Sequence, residues 1–455
     1  MRRFGWLWVA ASSLLLATSA LGETRPQYGG TLHVAMQIAP STLDPADNSL
    51  ASAVAYRNVL RLVFDGLVSM DNQGRLQPAL ATSWRAEPGN RRWQFQLRQG
   101  VRFHDGSPLT AEAVAASLRS ANPGWTVMAA TDSIVIQREV GDPDVAVQLA
   151  LARNSIAKRV TGGGFVGTGA FRITNWQPGR SLTLAVNEDY WGGRAFLDGI
   201  EIEFGRSTRD QLIDSDLGRI QVAEVAPEQS RKLAEEKRRV VNSSPVELLA
   251  LVFARDPQSD DDQKIRDILA LCLDRPSIRS GVLGNVGDPT GAILPNWISG
   301  YAFVFSAERN LARAQEERGE VQRAPAMTLG YDADDAVTRV IAERIALNAR
   351  EAGLTVQTAA TPKADIRVKR IGAVSSNPRI ALTSAALSLG VPAPNYAGTS
   401  INDVFVAESE VLRGKKIIPL FQVPVSYAVS SSVEGWKAGR DGSWHLADVW
   451  LGATP

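Results

Sequence analysis

Residues 97–114 read LRQGVRFHDGSPLTAEAV. They place His104, one of three histidines in the chain, directly beside Asp105. The pair is either an acid–base dyad or a turn that happens to carry two ionisable groups. The neighbouring residues favour the turn. Just upstream, RRWQFQL sets Trp93, Phe95 and Leu97 on one face, the period of a strand. VRFH reads as a second short strand. Asp105, Gly106 and Ser107 then form a turn signal, because glycine takes a positive φ without strain and Asp accepts from the next backbone N–H groups. Thr110 is a good N-cap for the helical AEAVAASL, and Glu112 sits in the first turn, where the helix dipole favours an anion.

Outward from this stretch the chain alternates strands and helices. GGTLHVAMQI alternates Leu32, Val34, Met36 and Ile38, a strand, and the Pro40 and Pro45 region after it is a loop. LASAVAYRNVLRLVFDGL has helical spacing, as does DVAVQLALARNSIAKRV at 144–160. TDSIVIQ, the end of GGGFVGTGAFRITNW, SLTLAVN and GIEIEF are strands. The glycines of that run do not fit a phosphate-binding loop, and no lysine follows at the phosphate-reading position. VELLALVF, from Val246, is a near-continuous apolar run, the mark of a strand buried on both faces. AMTLGY, the helical DDAVTRVIAERIALNAREAG and LTVQT predict a strand–helix–strand unit with parallel strands. IIPLFQV is one more apolar strand.

A chain of 455 residues is too long for one core and implies two to three domains. Apolar content of 44% and charged content of 21% are ordinary for a globular protein. The net charge of +1 and the absence of a long basic run exclude an obvious nucleic-acid partner. The one cysteine, Cys272, excludes an intramolecular disulfide framework, and its apolar setting predicts a buried residue. No His/Cys/carboxylate cluster has metal-ligand spacing, so neither metal nor cofactor is expected. The first 22 residues have Arg2 and Arg3, an uncharged apolar run over 4–21 and a small-residue exit at Ala20 and Gly22. They read as a secretory signal peptide, with an uncleaved anchor as the alternative. The mature chain is expected to be exported.

Several stretches, taken together, resemble one family. YGGTLHVAMQIAPSTLDPAD, the run from VFDGLVSM to FHDGSPLTAEAV, GTGAFRITNWQPGRSLTLAVNEDYWGG, DQKIRDILALCLDRPSI, RVIAERIALNAREAGLTVQ and IIPLFQVPVSYAV occur in the order seen in extracellular solute-binding proteins of family 5. These serve peptide and nickel importers of the ATP-binding-cassette type. The resemblance covers most of residues 28–436. It implies an α/β, two-lobed periplasmic-binding-protein-like fold of class II type, with mixed sheets and a reduced peripheral subdomain. Residues 23–244 with 420–455 would form the first lobe and 245–419 the second. In this family the FHDG stretch is a structural turn. Two places are shorter than the family pattern. One is ANPGWTVMAA, where the peripheral subdomain has a longer excursion. The other lies between Ile371 and Asn402, where peptide-binding members carry an aspartate that captures the α-amino group. This chain has no carboxylate there.

The resemblance implies a periplasmic, monomeric receptor that takes a small ligand, a short peptide or peptide-like solute, to the membrane permease of an ATP-binding-cassette importer. By position in the architecture, the candidate ligand contacts are Asp47, Asn48 and Ser49 after the first loop, Asn395 and Tyr396 in APNYAG, and Phe421 and Gln422 on the closing strand. Asp47 to Ser49 equally suit a helix cap, Tyr396 a packed aromatic and Phe421 a core position. An exported sensor or scaffold with the same fold is the alternative function. An exported hydrolase has no G-x-S-x-G or H-E-x-x-H to support it.

Overall fold

The computed structural model describes residues 25–452 apart from Asn48, Ala51, Asn72 and Asp334. The expected signal peptide and Asn48 therefore lie outside the described residues.

Among the described residues the largest sheet has eleven strands and runs through both lobes. Its order begins with Phe171–Gln177, Ser181–Val186, Gly199–Glu203, Thr31–Ala35 and Val222–Val225. It continues with Ile417–Val429, Val240–Phe253, Ile366–Gly372, Met327–Gly330 and Val356–Ala359. Asp288–Pro289 pairs on the side with Ile417–Val429. The two central strands are the longest, and they pair antiparallel along most of their length. Their register shifts between Asn242 and Glu247, opposite Pro424. Pro245 and Pro424 each lack an amide donor there, which interrupts the ladder.

That interruption separates two cores. Val246, Val425 and Tyr427 pack with Leu32 and Val34 of the first strand, with Met36 just after it, and with the helix Val54–Val63. Leu249, Leu251, Leu420, Phe421 and Val423 pack instead with Ile341 and Ile345 of the helix Ala336–Glu351. Phe421 is fully buried, and enclosing a side chain of that size stabilises by about 1.5–3 kcal/mol. The expected strand–helix–strand unit is present, and Met327–Gly330 runs parallel to Val356–Ala359. A third core belongs to a small peripheral subdomain. It has an antiparallel sheet in the order Ala81–Ala86, Arg92–Leu97, Ser133–Gln137, Thr126–Ala129, with the helix Ala111–Ala121 packed on it.

Two local expectations differ from the structure. VRFH is not a strand: Arg102 makes a single bridge to Pro108, and the chain turns at once. The stretch 144–160 is not one helix. It forms a single turn at Val145–Gln148 and a 3-10 turn at Ala152–Asn154. The side chain of Asn154 donates to the carbonyl of Gln148 at 2.7 Å and accepts from Asn122 at 2.9 Å. An asparagine that bonds backbone in this way competes with helix continuation. The result turns Leu151, Ala152 and Arg153 toward the cleft between the lobes.

Candidate functional site: the cleft between the lobes

His104 donates its backbone N–H to Gly167 and sets Nε2 2.9 Å from the carbonyl of Gly169. Burial lowers its imidazole below the usual value. Asp105 faces elsewhere. It accepts from the N–H and hydroxyl of Ser107 at 3.0 and 2.6 Å and from Lys158 Nζ at 2.8 Å. The Lys158 and Ser107 bonds hold its carboxyl near 2. Gly106 has φ 81°, as the tight turn requires. Thr110 caps the following helix by accepting from Ala113 N–H. Each ionisable group therefore has its own structural partner.

The lobes meet through backbone as much as side chains. Gly372 N–H donates to Ser52 O at 2.9 Å. Arg57, on the helix Val54–Val63, donates to Ser52 O at 3.1 Å and across the cleft to Ala373 O at 2.6 Å. Burial brings its guanidinium down to about 10, and the neighbouring Arg61 acts in the same direction. Arg379 of the second lobe lies 3.1 Å from Asp144 of the peripheral subdomain, off the line of a hydrogen bond. The same guanidinium stacks over Tyr396, 4.9 Å from the ring centre, and donates to Gly398 O.

These contacts border a partly open cavity of about 300 Å³. The first lobe supplies Asp47, Ser52, Tyr56, Arg57 and Leu60. The peripheral subdomain adds Leu151, Ala152 and Arg153, and the second lobe adds Val374, Ser384, Leu387 and Ser388. Tyr56 is fixed by donating its hydroxyl to the Thr42 and Asp44 carbonyls at 3.1 and 3.3 Å. Burial raises its phenol, as do the charges of Asp47 and Asp44. Asp47 accepts from Ser49 N–H at 2.6 Å, and its bonds to Ser49 lower its carboxyl. The Leu387 side chain is exposed although its helix, Pro378–Ser388, packs on the second lobe. Among the described residues no group of three or more His, Cys, Asp or Glu side chains is placed to hold a metal ion.

The structure does not bring the sequence candidates together. Asp47 lines the interlobe cavity, and Ser49 is its hydrogen-bond partner. Asn395 and Tyr396 line a separate outer groove of about 850 Å³. The Tyr396 hydroxyl is bonded to Thr383 and Arg379 O at 2.9 and 3.0 Å. Gln422 lines a third cavity of about 720 Å³, where its Nε2 donates to Ile293 O at 2.8 Å. Phe421 points into the second-lobe core rather than into a cavity. The sequence reading missed Arg57, Arg153, Val374 and Leu387. They come from distant parts of the chain and share no motif.

Comparison with known proteins agrees with this architecture. The family described as "Bacterial extracellular solute-binding proteins, family 5 Middle" matches residues 75–396. The probable D,D-dipeptide-binding periplasmic protein DdpA of Escherichia coli is 24% identical over 73% of this chain and 70% of its own length. The oligopeptide-binding protein AppA of Bacillus subtilis, solved with a nonapeptide, has a TM-score of 0.78 at 17% identity, covering 94% of this chain and 100% of that one. The binding protein AgaA of A. tumefaciens R10, solved with agropinic acid, has a TM-score of 0.77 at 17% identity, covering 94% and 99%. The chain belongs to the bacterial extracellular solute-binding proteins of family 5.

Proposed function

We propose that the protein is an exported receptor that encloses a small peptide-like solute between its lobes and delivers it to an ATP-binding-cassette permease. The observation that carries this reading is the interlobe cavity. Its wall is assembled from both lobes and the peripheral subdomain, so it is complete only when the lobes are together. A ligand that fills it binds the closed state better than the open one and shifts the population toward closure. The paired strands Val240–Phe253 and Ile417–Val429 supply a hinge, because their ladder is interrupted where one core ends and the other begins. About 300 Å³ is at the small end of ligand pockets, which suits a compact solute rather than a long peptide. The relatives bind ligands as different as a nonapeptide and agropinic acid, so the fold alone does not select among them. Export is supported by the signal-like first 22 residues.

The test uses full-length mature protein stripped of ligand by unfolding and refolding. Addition of the small-molecule fraction of rich medium should raise the melting temperature and reduce the radius of gyration. A flat response in both would contradict a receptor role.

A further inference from the structure

Resting on the reading of this cavity as the solute site, we propose that it takes a compact carboxylate with an apolar body, and that Arg153 receives the carboxylate. The charged side chains around the cavity are Arg57, Arg153 and Asp47, so cationic groups outnumber anionic ones. Asp47 is already turned to Ser49.

Arg153 differs from Arg61, Arg370 and Arg379. Arg61 lies against Asp441, Arg370 against Glu247 and Asp335, and Arg379 against Asp144. Arg153 has no carboxylate within ion-pair distance among the described residues, and its Nε is buried without a hydrogen-bond partner. Its one protein bond runs from Nη2 to the carbonyl of Ala121 at 3.0 Å. Ala121 is the last residue of the helix Ala111–Ala121, and a cation there satisfies an orphan carbonyl and the helix dipole. That role uses one nitrogen of a five-donor fork. It leaves a positive charge, removed in part from water, without a counterion. Burial alone acts on this guanidinium, and it lowers the affinity for the proton. A ligand carboxylate would supply the missing charge in the planar geometry that suits arginine.

The rest of the wall fits an apolar body. Leu60, Leu151, Val374 and Leu387 come from all three parts of the molecule. Leu387 is 58% exposed, so the ligand would cover apolar surface that the protein leaves open.

The experiment is calorimetric titration of the ligand-stripped mature chain with two matched probes. N-acetyl-leucine has a carboxylate and no ammonium, and leucinamide has an ammonium and no carboxylate. N-acetyl-leucine should bind at least tenfold more tightly than leucinamide. Arg153→Gln should weaken N-acetyl-leucine at least tenfold and erase the preference. Leu387→Glu alters an exposed side chain, leaves the Arg153–Ala121 bond intact and should also weaken N-acetyl-leucine, so it decides the matter should Arg153→Gln not fold. Equal or tighter binding of leucinamide, no binding of either probe, or unchanged N-acetyl-leucine affinity in both variants would overturn the proposal. Failure here together with a positive response to the medium fraction leaves the receptor reading standing. Failure of both removes both.

Discussion

The backbone N–H of Gly372, at the end of a second-lobe strand, donates to the carbonyl of Ser52, just before the first-lobe helix, at 2.9 Å. A Cβ on Gly372 would stand 2.5 Å from that oxygen and 2.9 Å from Val54 Cγ2. Glycine is thus what lets the two lobes touch backbone to backbone.

Replacing it should act on closure. Gly372→Val forces the strand end away from Ser52, an overpacking cost of about 1–3 kcal/mol borne by the closed state. Small-angle scattering should show a larger radius of gyration than the parent, and solute affinity should fall. A variant that scatters like the parent would show that this contact does not limit closure.

Arg379 and Asp144 form the second clasp. Burial raises the Asp144 carboxyl, and Arg379 partly offsets that effect. Asp144→Ala should cost about 1–3 kcal/mol, the penalty of leaving a shielded polar group without its partner. Coupling to Arg379→Met is the diagnostic, measured by a double-mutant cycle in denaturant unfolding. Strict additivity would mean that the two groups do not interact.

Glu408 is fully buried and holds the segment before Trp297. It accepts from Ile293 and Leu294 N–H at 2.5 and 3.0 Å and from the Tyr301 hydroxyl at 2.7 Å. Burial pushes its carboxyl from 4.5 up to about 6, against those three bonds. The folded state therefore holds this proton more tightly than the unfolded chain does. Its contribution favours folding most below pH 4.5 and is lost as pH rises through about 6. Glu408→Gln should flatten the stability profile across that window. An unchanged slope would assign the pH dependence to other groups.

His104 offers a control for the turn reading. His104→Leu removes the contact with Gly169 O and should cost about 1 kcal/mol of stability. Solute affinity should stay at the parent value, and a loss of affinity without loss of stability would reopen a functional role.

Much of the fold was legible because its signals are local. Trp93, Phe95 and Leu97 show strand alternation, Thr110 and Glu112 mark a helix start, and the apolar run from Val246 marks a buried strand. The stretch 144–160 misled because its helical spacing is real, while the side chain of Asn154 takes the backbone out of helix through a bond to Gln148. The cavity was the least legible part. Asp47 was found from its place after the first loop. Arg153 and Leu387 look like ordinary helix-surface residues until folding brings them to one wall. No spacing along the chain encodes that meeting.

The most direct test is native mass spectrometry of protein purified from the exported fraction without unfolding. The account predicts one bound molecule of small, defined mass, carrying a carboxylate and released by Arg153→Gln or Gly372→Val. A protein that is cleanly empty, and that also shows no thermal response to the medium fraction, would contradict it.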